Sequence, residues 1–321
     1  MWRFIKNQPR AFRPSQSFRS YRNYATYRTF GNTGFSADGL WSRKTGYWIG
    51  GITTAGALFY VTHLERAPVT GRRRFMMVSE GLEKYMGERS YRQTLQQFGR
   101  YIVPDHHPQA RQVQRVVERL VRSNPDLGNL EDWKVHLIHN PSLPPNAFVL
   151  PNRRVFVFSS ILPICQDDDG LATVLAHETG HQLARHSAEH MSRMPLYTIF
   201  CLGIYMLTGI DTLNRLIVNM LFELPASREM EREADFAGLM LMSRACYHPE
   251  AAVQLWKRMS DYERRSGNGA NIPEFMSTHP LSTHRIELIQ QWLPEAQSMR
   301  AQGDCDTYSQ FLPAFHQVSR W

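Results

Sequence analysis

The chain has 321 residues, 42% of them apolar and 21% charged, which is enough for one large core or two ordinary ones. Its 7 Trp, 17 Phe and 13 Tyr exclude a wholly disordered protein, and a count of 4 Cys excludes a disulfide-dense scaffold. The net charge of +8 lies almost entirely in the first 37 residues, where seven basic side chains meet no acid, so the remaining 30 basic against 29 acidic residues exclude a basic nucleic-acid-binding surface on the folded part.

Residues 1–37 have the composition of a mitochondrial transit peptide: Arg3, Arg10, Arg13, Arg19, Arg22 and Arg28 are scattered among Ser, Tyr and Phe. The alternative is a basic arm that stays attached. Residues 38–66 are expected to form a membrane anchor. Within them Thr45 to Leu64 carry no formal charge, and a helix of 20 residues reaches roughly 30 Å. Tyr47, Trp48, Phe59 and Tyr60 stand near its ends, as interfacial residues do. The competing reading is a Gly-rich buried helix. Nine basic residues before the segment against four after it favour a matrix-side N-terminus and a main body in the intermembrane space.

Residues 67–321 read as one α+β domain, mostly helical. Val113, Val116, Val117, Leu120 and Val121 repeat at helical spacing, and Asn124-Pro125 ends that helix. Three strand-like runs follow, Trp133–Ile138, Ala147–Leu150 and Val155–Phe158, the last two joined by a Pro151–Arg154 turn. Helical pattern then dominates almost to the end. Met194–Ile210 is a second charge-free run, 17 residues long, expected to be a core helix or one in contact with the bilayer.

His177, Glu178 and His181 form an H-E-x-x-H pattern after the apolar Leu171, Val174 and Leu175. Positions i and i+4 share a helix face, so both imidazoles can bind one metal, with Glu178 placed as general base. Gly180 permits close backbone approach. A third ligand is expected from Glu231, with Asp235 one turn on to accept a hydrogen bond from a ligand imidazole. Glu233 reads as structural, and a solvated charged face is the alternative for that whole segment. His186 and His190 fall off the metal face of a continuous helix and read as packing or surface residues. Cys246 and Cys305 are the pair to test for a disulfide, whereas Cys201 in the apolar run is expected to be buried.

H-E-x-G-H followed by S-R-x-x-E-x-E-A-D-x-x-G-L resembles the HtpX and CAAX-prenyl-protease class of gluzincin zinc peptidases. Ser277-Thr278-His279-Pro280 with Arg285-Ile286, and Asn146-Ala147-Phe148-Val149-Leu150-Pro151, match further motifs of that class. Asn152 stands where the class commonly has Gly. The Arg-rich leader, the single early membrane segment and Pro68–Phe75 give a closer resemblance to the Oma group, mitochondrial inner-membrane metallopeptidases whose activity overlaps the m-AAA protease. The resemblance implies a gluzincin-type domain with a small β-sheet and an active-site helix, and one Zn2+ per chain held by His177, His181 and Glu231. It further implies Glu178 as catalytic base, His279 as oxyanion partner, Arg285 as an ion-pair residue, and Asn146, Ala147 and Phe148 as the edge strand that holds substrate. The implied partners are membrane-protein substrates, inner-membrane fusion dynamins among them, and inner-membrane lipid, with self-association left open. The implied role is quality control and stress response. The alternative is a tethered binding or chaperone module on the same fold that does not cut; an intact Glu178 speaks against it.

Overall fold

A computed structural model describes residues 43–209, 224–266, 275, 278–280, 283–303 and 305. The expected leader lies outside these residues, as do residues 210–223. The chain divides into two compact units, residues 1–58 and 59–321.

The first helix, α1 (Arg43–Thr62), matches the expected anchor to within two residues, but no helix among the described residues is long and apolar enough to cross a membrane. Four Gly and four Thr among the 20 residues of α1 dilute its Ile, Leu, Phe and Val. Residues 46–62 of α1 are exposed.

Two short antiparallel strands come next, β1 (Leu64–Arg66) and β2 (Arg73–Phe75). Their connection is closed by Ala67 N–H to Arg72 O at 2.8 Å and Gly71 N–H to Ala67 O at 2.9 Å. Gly71 takes φ +69°, the left-handed region where glycine is unstrained. Helix α2 (Glu80–Phe98) is capped by Ser79, whose hydroxyl accepts from Leu82 N–H. Helix α3 (Pro108–Ser123) buries the five residues expected of it, Val113, Val116, Val117, Leu120 and Val121, each 3% exposed or less.

The main sheet has the order β3 (Lys134–Ile138), β5 (Arg154–Phe158), β4 (Ala147–Leu150). Strand β5 is central, parallel to β3 and antiparallel to β4. The β4–β5 turn uses Arg153 at φ 61°. Strand β4 is therefore an edge of this sheet, as the family resemblance implies, and it packs on the helix that spans Asp168–Leu183.

A short helix, α4 (Leu162–Cys165), leads to α5 (Asp168–Leu183), the helix of the H-E-x-x-H pattern. Asp167 caps α5 by accepting from Gly170 N–H at 2.8 Å, and Asp168 and Asp169 suit the positive end of the helix dipole. Helix α6 (His186–Thr208) is buried in part up to Ser192 and mostly exposed from Met194 on, with Pro195 at the change. Ile199, Leu202 and Met206 are 69%, 55% and 78% exposed, so the second apolar run is not a core helix. Cys201 within it is only half-buried.

Helices α7 (Leu224–Arg244), α8 (Glu250–Ser266) and α9 (Thr283–Gln302) complete the unit. The core between α3, the sheet, α5, α7 and α8 is filled by Leu120, Leu137, Leu171, Leu175, Met242, Leu255 and Trp256, all under 3% exposed. A disulfide joins Cys246, just after α7, to Cys305, just after α9.

Candidate metal centre

Helix α5 is buried from Gly170 to Gly180, so the polar groups it carries must find partners inside the protein. His177 and His181 lie one turn apart with their Nε2 atoms 3.2 Å from each other. Helix α7 crosses α5 at backbone contact. A Cβ on Gly180 would stand 2.8 Å from Ala234 O, and one on Gly238 would stand 2.8 Å from His177 N. That closeness brings Glu231 to the two imidazoles: its Oε1 is 3.3 Å from His181 Nε2 and its Oε2 is 3.5 Å from His177 Nε2.

His279 approaches from the segment between α8 and α9. Its Nδ1 is 3.0 Å from Glu231 Oε1 and 3.3 Å from His177 Nε2, and its Nε2 is 3.3 Å from Glu178 Oε1. One donor atom each from His177, His181, Glu231 and His279 fall within 4.8 Å of one another. His279, expected as an oxyanion partner, thus also stands among the metal-competent donors.

Donor chemistry decides whether a metal fits here. Imidazole nitrogens with a carboxylate oxygen are the set that holds zinc in hydrolytic sites. Glu178 Oε1 is buried and, among the described residues, has His279 Nε2 at 3.3 Å but no well-formed hydrogen bond, which suits a carboxylate meant to face a reacting water. The residues fit a metal ion.

Behind the site, His177 Nδ1 stands 3.0 Å from Asp235 Oδ1. Arg285 grips Asp235 with both arms, Nε to Oδ2 at 2.7 Å and Nη2 to Oδ1 at 2.8 Å, and its Nη1 lies 3.0 Å from Glu231 Oε2. These contacts set the charge states. Burial alone would depress the His177 imidazole, but Asp235 and Glu231 outweigh it and raise its pKa to about 9. Burial dominates at His181, which falls to about 3. Burial also raises Glu178. It would raise Glu231 and Asp235 too, yet the three histidines hold Glu231 well below the carboxylate range and Arg285 holds Asp235 down.

Asn146, Ala147 and Phe148 lie together at the start of the edge strand, where Asn146 O accepts from Phe158 N–H at 2.9 Å. His190 is exposed. His186 packs inside, off the metal face, but it does so against a ring of the site. Helix α5 stops at Leu183, Arg185 takes the left-handed φ of 54°, and α6 starts afresh at His186. The reversal buries His186 to 4% exposure and sets its Nδ1 2.8 Å from His181 Nδ1. Its Nε2 is 2.9 Å from Glu233 Oε2. Ala184-Arg185 contains neither Gly nor Pro, so nothing in the sequence marks the break.

The family model for peptidase family M48 matches residues 107–293. The mitochondrial metalloendopeptidase OMA1 of Saccharomyces cerevisiae is 43% identical over 267 residues, 81% of this chain and 77% of that protein. Its Schizosaccharomyces pombe counterpart is 44% identical over 262 residues, 80% of this chain and 75% of that protein. The human mitochondrial metalloendopeptidase OMA1 is 30% identical over 275 residues, 81% of this chain and 52% of that protein. With these likenesses added to the clustered His177, His181 and Glu231 beside Glu178, the chain belongs to peptidase family M48, as a metalloendopeptidase of the mitochondrial Oma group.

Proposed function

We propose that the chain is a zinc endopeptidase of the mitochondrial inner membrane that cleaves membrane proteins in quality control and stress response, including inner-membrane fusion dynamins, with its peptidase unit in the intermembrane space. The observation that carries the chemistry is the convergence of His177, His181 and Glu231 next to the buried Glu178 carboxylate. These three would hold the zinc, which when bound supplies Lewis acidity toward the scissile carbonyl and the attacking water. Glu178 takes the proton of that water and delivers it to the leaving amine; burial raises its affinity for the proton, as a base working near neutrality needs. The edge β4, from Asn146 through Phe148, pairs with an extended substrate segment by strand addition. His279 steadies the developing oxyanion. Asp235 orients His177.

Membrane contact is assigned to exposed apolar side chains rather than to a crossing helix. Trp48 and Ile52 of α1 are 74% and 70% exposed, and Ile199 and Met206 of α6 are 69% and 78% exposed. Such side chains gain by entering a lipid interface. The mitochondrial names of the relatives and the acid-free basic leader support the location.

The test is cleavage of a membrane protein in vesicles by the purified chain, with zinc content measured in parallel. About one zinc per chain and cleavage abolished in Glu178→Gln support the reading. Full cleavage by Glu178→Gln, or by zinc-free protein, overturns it.

A further inference from the structure

A second buried cluster lies behind His181. His186, Glu189 and Glu233 are each 4% exposed or less, and their donor atoms gather within 4.8 Å. A second metal is excluded there because a guanidinium already holds both carboxylates. Arg72 Nε and Nη2 are 3.0 Å from the two oxygens of Glu233, and its Nη1 and Nη2 are 2.9 Å from those of Glu189. The Thr70 hydroxyl also donates to Glu233. Arg74 and Arg193 pair with Glu189 from the other sides.

We propose that His186 is a positioning residue for His181, coupling that ligand through Glu233 to the Thr70–Arg72 turn. The inference rests on the reading of His181 as a zinc ligand. His181 turns Nε2 toward His177 and Glu231, so Nε2 is its metal-facing atom. A neutral imidazole that offers Nε2 must carry its proton on Nδ1. The only role left to His186 Nδ1, 2.8 Å away, is to accept that proton's hydrogen bond. His186 then carries its own proton on Nε2, 2.9 Å from the Glu233 carboxylate. Every donor meets an acceptor, and the tautomers of both rings are fixed. Carboxylate support of this kind raises ligand basicity and holds the ring in its metal-binding orientation. Thr70 and Arg72 precede the residues 107–293 that match the peptidase family, so this arm brings the N-terminal hairpin into the metal centre.

The test is zinc affinity of the full chain, measured by competition with a chromophoric chelator, with melting of the zinc-free protein as a fold control. His186→Leu removes the acceptor, and zinc should bind roughly 10–100-fold more weakly. His186→Asn offers Oδ1 near the place of Nδ1 and should recover most of that loss. Nitrogen-15 shifts of the zinc-loaded protein should show His186 neutral and protonated on Nε2. Should His186→Leu fail to fold, Glu233→Gln, which removes the charge but keeps the size, should weaken zinc binding in the same direction. Wild-type affinity in either His186→Leu or Glu233→Gln, equal losses in the Leu and Asn variants, or a proton found on His186 Nδ1 overturns the proposal. A wild-type chain that binds no zinc, or a His181→Ala that binds it fully, would instead overturn the ligand reading beneath it.

Discussion

The two histidines of α5 are supported from behind by different constructions. His177 meets its carboxylate directly: Asp235 lies 3.0 Å from Nδ1, and Arg285 of α9 clamps that carboxylate from the far side. His181 meets a second imidazole first, and only beyond His186 come Glu233 and the clamping Arg72. Each arm ends in a bidentate arginine–carboxylate pair, the geometry in which a planar guanidinium is most effective. The first arm lies wholly within residues 107–293, which match the family. The second ends on a hairpin before them. The difference teaches that one centre can join a support drawn from within the family's matched segment to one drawn from outside it.

The largest expected effect leaves both arms intact. Glu178→Gln keeps the volume and the metal donors but cannot accept a proton, so turnover should fall ~10²–10⁴-fold at unchanged zinc content. Comparable turnover would remove Glu178 from the role of base, and lost zinc would place it in the metal set. Next comes the disulfide. It ties the end of α7 to the end of α9, the two helices that carry Asp235 and Arg285. Cys246→Ser should cost about 2–4 kcal/mol in chemical unfolding and loosen the direct arm more than the relayed one. Equal stability with and without the bridge would break that asymmetry.

Asp235→Asn should weaken zinc binding by roughly 10–100-fold, and added zinc should partly restore activity, unlike for Glu178→Gln. His279→Ala sharpens the role of the fourth ring: an oxyanion partner lost lowers turnover with zinc affinity intact, whereas a lost ligand lowers zinc affinity as well. The smallest effect belongs to His190→Ala. This residue is exposed four positions after His186, and its loss should change stability by less than about 0.5 kcal/mol and zinc binding not at all.

What could be read beforehand follows a physical rule. Spacing within one helix was legible, because His177 and His181, or Val113 through Val121, share a face by helical geometry alone. The β4 edge and the Cys246–Cys305 pairing were also anticipated. The relayed arm was not, since it depends on a left-handed Arg185 that no local residue preference announces. Neither was the Thr70–Arg72 contact to Glu233, which joins positions more than 160 residues apart. Glu233 read as structural, which its pairing with Arg72 and His186 fits, but a sequence cannot say what stands across from a carboxylate. The exposed half of α6 was misjudged as possible core because hydrophobicity reports a wish to leave water, not the neighbour that grants it.

The backbone contact at Gly180 and Gly238 has a consequence for anyone wishing to make this enzyme more heat-resistant. Replacing a helical glycine by alanine is a standard stabilising substitution, favoured by about 1 kcal/mol through helix propensity. Here the sign reverses. A methyl at position 180 or 238 would press on main-chain atoms of the facing helix at 2.8 Å, and main chain cannot swing aside as a flexible side chain can. The helices would have to separate by some tenths of an ångström, and that movement carries Glu231 away from both imidazoles. Thermostabilising libraries for this fold should therefore treat these two glycines as fixed spacers and look for their gains on the solvent faces.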